Sequence, residues 1–160
     1  MGPFKKEPHR YLLKSKHQHI MIVDSFMNSN SLASSSSSSY PSMDLKGLCN
    51  TIMNTDARVR FVGILDNKNA KLVEGGMRKN VPSLLDSGKD ELFFLRIVSQ
   101  LNQLKEFRQT LGDISYVFIK MNRLSFVIMS LKKNMTLLVS MEPDADPSFI
   151  IPTIRNSLIE

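Results

Sequence analysis

The chain has 160 residues, 42% hydrophobic and 22% charged, with a formal charge of +6 from 21 basic and 15 acidic side chains. That length suits one compact domain and little more. A single cysteine excludes an intramolecular disulfide and points to a reducing, cytoplasmic setting, and no apolar run approaches the roughly 20 residues of a membrane-spanning helix.

Residues 1–42 set Lys5, Lys6, Arg10, Lys14 and Lys16 against Glu7 and Asp24, and then carry six consecutive serines ending at Ser39. Such a stretch buries too little apolar surface to offset its ordering entropy, so the composition predicts a disordered basic, serine-rich arm. Its one apolar cluster, Ile20, Met21, Ile22 and Val23, is shorter than the roughly 7–15 apolar residues of a secretory signal. Met43 follows at once and is a second candidate start, which would leave residues 1–42 out of the cellular protein. The competing reading is a true tail that touches anionic partners.

From Met43 onward each stretch has a structural period. Leu45, Leu48, Cys49, Ile52 and Met53 fall on one face of a helix of about three turns, with Ser42 as its N-cap and Asp44 suited to its dipole. Cys49 lies on that apolar stripe and reads as an inert core thiol. Residues 58–65 and 70–74 flank the polar turn Asp66-Asn67-Lys68-Asn69 as a β-hairpin, closed by Gly75 and Gly76. Arg58 and Arg60 share one face of its first strand, either as a solvated edge or as contacts for an acidic partner. Residues 81–88, with Pro82 and Gly88, form a loop. A long helix then spans 90–111 and stops at Gly112, with Asp86, Asp90 and Glu91 placed for its dipole.

Three strands follow at 114–121, 124–131 and 135–141, joined by the short turns Asn122-Arg123 and Lys132-Lys133-Asn134. Val117 and Ile119 oppose Tyr116 and Phe118, and Phe126 and Ile128 oppose Val127 and Met129, so this sheet is apolar on both faces and needs cover on both. The last helix spans 149–159, with Ile150, Ile154 and Leu158 on one stripe. Pro152 fits only a first turn or a kink and so places the start no earlier than Phe149. Asp144 and Asp146 before it suit the dipole or a weak cation site. The order over 43–160 is α-β-β-α-β-β-β-α.

The apolar residues of the long helix cover an arc of roughly 180°, where a helix on a sheet needs only about 100°. Phe94, Ile97 and Leu101 should meet the sheet, leaving Phe93, Gln100, Phe107 and Leu111 along one edge. Either the loop 77–88 folds over that edge, or it meets a helix of a second copy or of a partner. Left bare, an edge with two phenylalanines invites aggregation.

Residues 43–160 hold no histidine, which excludes Ser-His-Asp and Cys-His chemistry there. His9, His17 and His19 have no cysteine or carboxylate at ligand spacing, and no phosphate-binding glycine loop is present, so no metal or cofactor is expected. The 16 basic and 13 acidic residues after position 42 are scattered, without the aromatic–basic interleaving that reads nucleic acid. The pattern thus favours a non-enzymatic interaction module. The alternative is a small-ligand sensor, with Gly63, Gly75 and Gly76 lining a gap between the sheet and the loop 77–88.

With its elements in this order, the region 43–160 resembles the roadblock/dynein-light-chain fold, a profilin-like α+β domain. More narrowly it resembles an uncharacterised family of small archaeal proteins, through Asp56-Ala-Arg-Val-Arg-Phe-Val-Gly-Ile-Leu-Asp66, Leu72-Val-Glu-Gly-Gly-Met-Arg78, Leu84-Leu-Asp86 and Leu138-Val-Ser-Met-Glu-Pro-Asp144. The resemblance implies a five-stranded antiparallel sheet with the long helix on one face and the first and last helices on the other. It brings no catalytic residues. It also implies homodimers or heterodimers paired through the long helix and the adjacent edge strand 114–121, which adds Tyr116 and Phe118 to the candidate surface. Many such domains serve small GTPases as scaffolds or regulators, which makes a small GTPase an implied partner by fold analogy alone.

Overall fold

The computed structural model describes residues 43–86 and 88–159, together with the backbone of residues 19–24. The elements are strand β1 (His19–Asp24), helix α1 (Leu45–Thr55), strands β2 (Val59–Asp66) and β3 (Leu72–Met77), and helices α2 (Lys89–Lys105) and α3 (Arg108–Leu111). Strands β4 (Ile114–Lys120), β5 (Ser125–Leu131) and β6 (Met135–Met141) and helix α4 (Pro147–Ser157) complete the chain. The sheet runs β1-β4-β5-β6-β2-β3 with every neighbour antiparallel. The five strands expected from patterning all form, but the second runs Leu72–Met77, so Gly75 and Gly76 pair within it instead of closing it. The sixth, β1, lies in the segment expected to be a disordered arm, because the free backbone groups of β4 give it a ladder that its composition does not reveal. The serine run and the helix cap proposed at Ser42 lie outside the described residues.

The alternation along the strands separates two cores. Val62, Ile64, Phe118, Val127, Met129, Leu137 and Val139 face α1 and α4, where they meet Leu48, Cys49, Ile52, Ile150, Ile151 and Ile154. Leu65, Val117, Ile119, Phe126, Ile128 and Leu138 face α2, where they meet Ile97, Val98 and Leu101. In chain order the hairpin β2–β3 follows α1. Helix α2 then crosses the sheet to β4, and the meander β4–β5–β6 returns to place β6 against β2.

Helix boundaries depart from the expectations in three places. Asp44, expected only to suit the dipole, is the N-cap of α1, its carboxylate accepting from the Gly47 backbone N–H at 2.9 Å. Helix α4 starts two residues early, at Pro147, with Asp146 accepting from the Ser148 N–H at 2.9 Å, and keeps Pro152 in its second turn. Burying Ile150, Ile151 and Ile154 yields about 6 kcal/mol in total, against about 3 kcal/mol for an interior proline. The long helix is divided: Glu106 and Phe107 donate to Gln103 and Leu104, three residues back, which tightens the turn and offsets α3 from α2. Gly112 ends α3 at φ 88°, as its position predicts.

Gly75 has φ 101°, and a Cβ on it would lie 2.1 Å from the Val62 carbonyl oxygen, whereas a Cβ on Gly76 meets nothing within 4 Å. Gly75→Ala should therefore lower unfolding stability by about 1–3 kcal/mol. Gly76→Ala should change it by less than about 0.5 kcal/mol. Urea denaturation of the two variants beside the parent measures the contrast.

Candidate functional site

Three arginines tie the end of α1, the start of β2, the end of β3 and the β6–α4 junction into one corner. Asp56 accepts from the Arg58 backbone N–H at 2.8 Å and takes its guanidinium in a fork, at 3.0 Å on one oxygen and 2.8 Å on the other. The third guanidinium nitrogen, Nη1, donates to the Asp144 carbonyl at 3.1 Å. Arg60, buried, pairs with Glu142 and donates to the Pro82 carbonyl at 2.8 Å. Arg78 donates to the carbonyls of Val59 at 2.6 Å, Asp56 at 2.8 Å and Met53. The planar, many-donor guanidinium suits this use, since its nitrogens reach several carbonyls at once.

Arg60 is therefore a buried fastening and not part of a solvated edge, and Arg58 is half-buried in its fork with Asp56. The hydrogen bonds from Arg58 hold the Asp56 carboxyl down at about 2. Those from the Ser148 side chain and backbone lower Asp146. Cys49 sits on the buried stripe of α1, and burial, then the charge of Glu74, pushes its thiol up to about 11, so it stays protonated near neutrality.

The residues expected to form a pairing surface are not gathered on one face. Phe93 is half-buried, its ring edge-on to Phe126 at 5.5 Å between centroids and beside Phe94 at 6.4 Å. Phe118 is 7% exposed and belongs to the core under α1 and α4, on the opposite side of the sheet from α2, and Tyr116 packs against the same core. Those two point away from α2 because odd and even positions of a strand face opposite ways. Gln100, Phe107 and Leu111 are exposed, the last two at 56% and 66%. Leu92 and Leu95, each 53% exposed on the outer side of α2, were not among the expected residues. Their signal was present in the sequence as two leucines outside the apolar arc. Leu84 and Leu85 of the loop 77–88 are themselves exposed, so this loop does not cover Phe107 and Leu111.

The edge of β4 is also not bare. β1 pairs with it from His19 opposite Lys120 to Asp24 opposite Ile114.

The glycines of the alternative reading do not line a gap. Gly63 pairs with Gly75 across the hairpin, and a Cβ on Gly63 would lie 2.4 Å from the Phe61 ring and 2.9 Å from Leu72. The loop beyond them is fastened at Pro82 by Arg60. Two clefts lie elsewhere. One, of about 420 Å³, lies between β4 and α4 and is lined by Tyr116, Phe118, Ile151, Pro152 and Arg155. The other, of about 280 Å³, lies between the β2–β3 turn and α2, beside Asn67, Lys68 and Asn102. Among the described residues, no three His, Cys, Asp or Glu side chains are grouped as metal ligands, and no helix is long and apolar enough to cross a membrane.

No protein-family model and no curated protein matches the sequence. Solved structures do match in shape. A Roadblock/LC7 domain from Streptomyces avermitilis aligns with a TM-score of 0.56 at 11% identity, over 72% of this chain and 92% of that one. MglB of Myxococcus xanthus aligns at 0.57 and 11% identity, over 73% and 90%. An MglB with tetrameric arrangement aligns at 0.59 and 8% identity, over 70% and 80%. At such identities the likeness is one of fold: the chain has the Roadblock/LC7 fold, α+β, with helices on both sides of an antiparallel sheet.

Arg78→Met takes a donor from three backbone carbonyls, of which that of Asp56 keeps the Val59 N–H, and should cost about 3 kcal/mol in urea denaturation, with Arg78→Lys recovering only part of the loss. Asp56 is lowered from 3.8, so its contribution is complete above that value and is lost as pH falls from about 4 toward 2. The urea midpoint should drop across that window in the parent, and drop less in Asp56→Asn.

Proposed function

We propose that the chain is a non-enzymatic, cytoplasmic interaction module that pairs with a second copy of itself, or with a related subunit, through α2 and α3. The observation that carries this reading is the set of large apolar side chains on the solvent side of these helices: Leu92 and Leu95 near the start of α2, Phe107 at the cap of α3 and Leu111 at its end. Exposed leucine and phenylalanine on a rigid helix are the anchors on which helix-to-helix interfaces are built. A structural neighbour whose name carries a tetrameric arrangement agrees with assembly by this fold.

A service to a small GTPase, as scaffold or regulator, is the activity the roadblock resemblance suggests, and the Roadblock/LC7 fold supports it by analogy. The narrower kinship with small archaeal proteins rests on the segments at 56–66, 72–78, 84–86 and 138–144. The arginine corner lies within three of these segments, at Asp56, Arg58, Arg60, Arg78 and Glu142, and its part in the module is to hold the frame. The buried thiol of Cys49 accords with a reducing compartment.

The double variant Phe107→Asp/Leu111→Asp should weaken self-association about thirtyfold or more, since it removes two apolar anchors and sets like charges across the contact. Light scattering on the full chain over a range of micromolar concentrations measures it. An oligomer unchanged by both substitutions removes α2 and α3 as the interface.

A further inference from the structure

Two turns stand side by side at the end of the sheet where β2 and β5 finish and β3 and β6 begin, residues 66–71 and 132–134. Hydrogen bonds lace them together. The Asn67 backbone N–H donates to the Asn134 carbonyl at 3.0 Å, and its side-chain amide donates to the Asn134 side chain at 3.4 Å. The Thr136 hydroxyl donates to the Asn67 side-chain oxygen at 2.6 Å. The first turn carries Lys68 and Lys71 and the second Lys132 and Lys133, all four exposed. Among the described residues none of these lysines is in an ion pair. Asp66 is the one acid of either turn, and its carboxylate accepts from the Lys68 backbone N–H at 2.9 Å. Glu106, at the end of α2, borders the same cleft as Lys68 without pairing with it.

The charge of the domain is concentrated here. Four lysines and one acid lie in these two turns, whereas the other 12 basic side chains of residues 43–160 are matched by 12 acidic ones. Turn geometry does not call for the cations. Lys133 and Asn134 both stand at φ 58°, and at the first of these a glycine would be free of the strain that a lysine bears.

We infer that this tip is a docking surface for an anionic lipid bilayer, whose headgroups take the four ammonium groups. The inference does not depend on the pairing of copies. Neither turn holds an aromatic side chain on which a base stacks, which disfavours nucleic acid. The cations are all lysine, a compact point charge that suits a fluid array of headgroups. The planar fork of arginine, which suits a fixed partner, is spent at the other end of the sheet on internal bonds of Arg58, Arg60 and Arg78. Each lysine close to an anionic leaflet strengthens binding about fivefold, and the attraction fades within a Debye length, about 10 Å at 0.1 M salt. Position therefore matters more than net charge.

The test is cosedimentation of the full chain with vesicles of phosphatidylcholine alone, or with about 30% phosphatidylserine, in about 0.1 M salt. The parent should bind the anionic vesicles and leave the neutral ones. Lys68→Gln/Lys71→Gln and Lys132→Gln/Lys133→Gly should each weaken that binding about twentyfold. Lys79→Gln/Lys120→Gln removes the same charge from the opposite end of the sheet and should weaken it less than about threefold. Glycine suits the backbone at position 133, so the urea midpoint of that pair should equal or exceed the parent's, and its loss of binding is then not unfolding. Equal binding to both vesicles overturns the inference. So does binding that ignores both tip pairs, which places the contact in residues 1–42, or a control pair as damaging as the tip pairs, which leaves only net charge. Tighter binding of the parent to poly-uridylate than to the anionic vesicles, lost in the same tip pairs, replaces the bilayer with nucleic acid.

Discussion

Strands β2, β4, β5 and β6 are apolar on both faces, and nearly every other feature of the molecule answers to that one condition. A sheet of this kind is stable in water only when each face is covered. One helix, α2, covers one side, and two shorter helices, α1 and α4, share the other. The demand is strong enough to override local preference. It keeps a proline inside α4, because three isoleucines of that helix close the core. It also leaves α2 with more apolar surface than the sheet can use, since a single helix laid on a wide sheet buries only its lower arc.

The arginine corner meets a second need created by the first. Layers packed by apolar contact alone can slide, and contacts of this kind have no preferred direction. Arg78 reaches three carbonyls from two segments, and Arg60 fastens both the loop at Pro82 and the β6 exit at Glu142. These bonds are directional and draw on atoms far apart in sequence, so they fix where α1, β2 and the loop after β3 stand relative to one another. The surface formed by α2 and α3 is held on this frame, and the loop that could have covered it is fixed elsewhere.

Much of this was legible in the sequence, and what was not has definite reasons. Element order follows from which atoms meet water, and a period of 2 or 3.6 residues records it directly, as at Val117 to Ile119 or Leu48 to Ile52. Which helix covers a strand residue is not recorded when both faces are apolar, so the sequence does not show that Phe118 lies under α1 and α4. The break after Glu106 has neither glycine nor proline to announce it. β1 derives its ladder from β4, which lies about a hundred residues away in sequence, and its own composition reads as an arm. Arg58 and Arg60 read as a solvated edge or as contacts for an acidic partner because their partners, Asp56, Glu142 and the carbonyls of Pro82 and Asp144, are brought to them only by the fold. Leu92 and Leu95 fall outside the apolar arc of the long helix, so its periodicity does not mark them as surface anchors.

The left-handed Gly75 has a bearing on symmetry. A six-stranded sheet ends in two unlike edges, β1 and β3, and joining one to the other between copies is a head-to-tail contact that repeats without limit. The bend that Gly75 and the register shift impose on β3 spoils one half of that repeat. A contact across α2 and α3 differs in kind, because the same patch can serve both partners about a two-fold axis and close after two copies. A single residue with no side chain thus bears on whether edge-to-edge contacts between copies repeat.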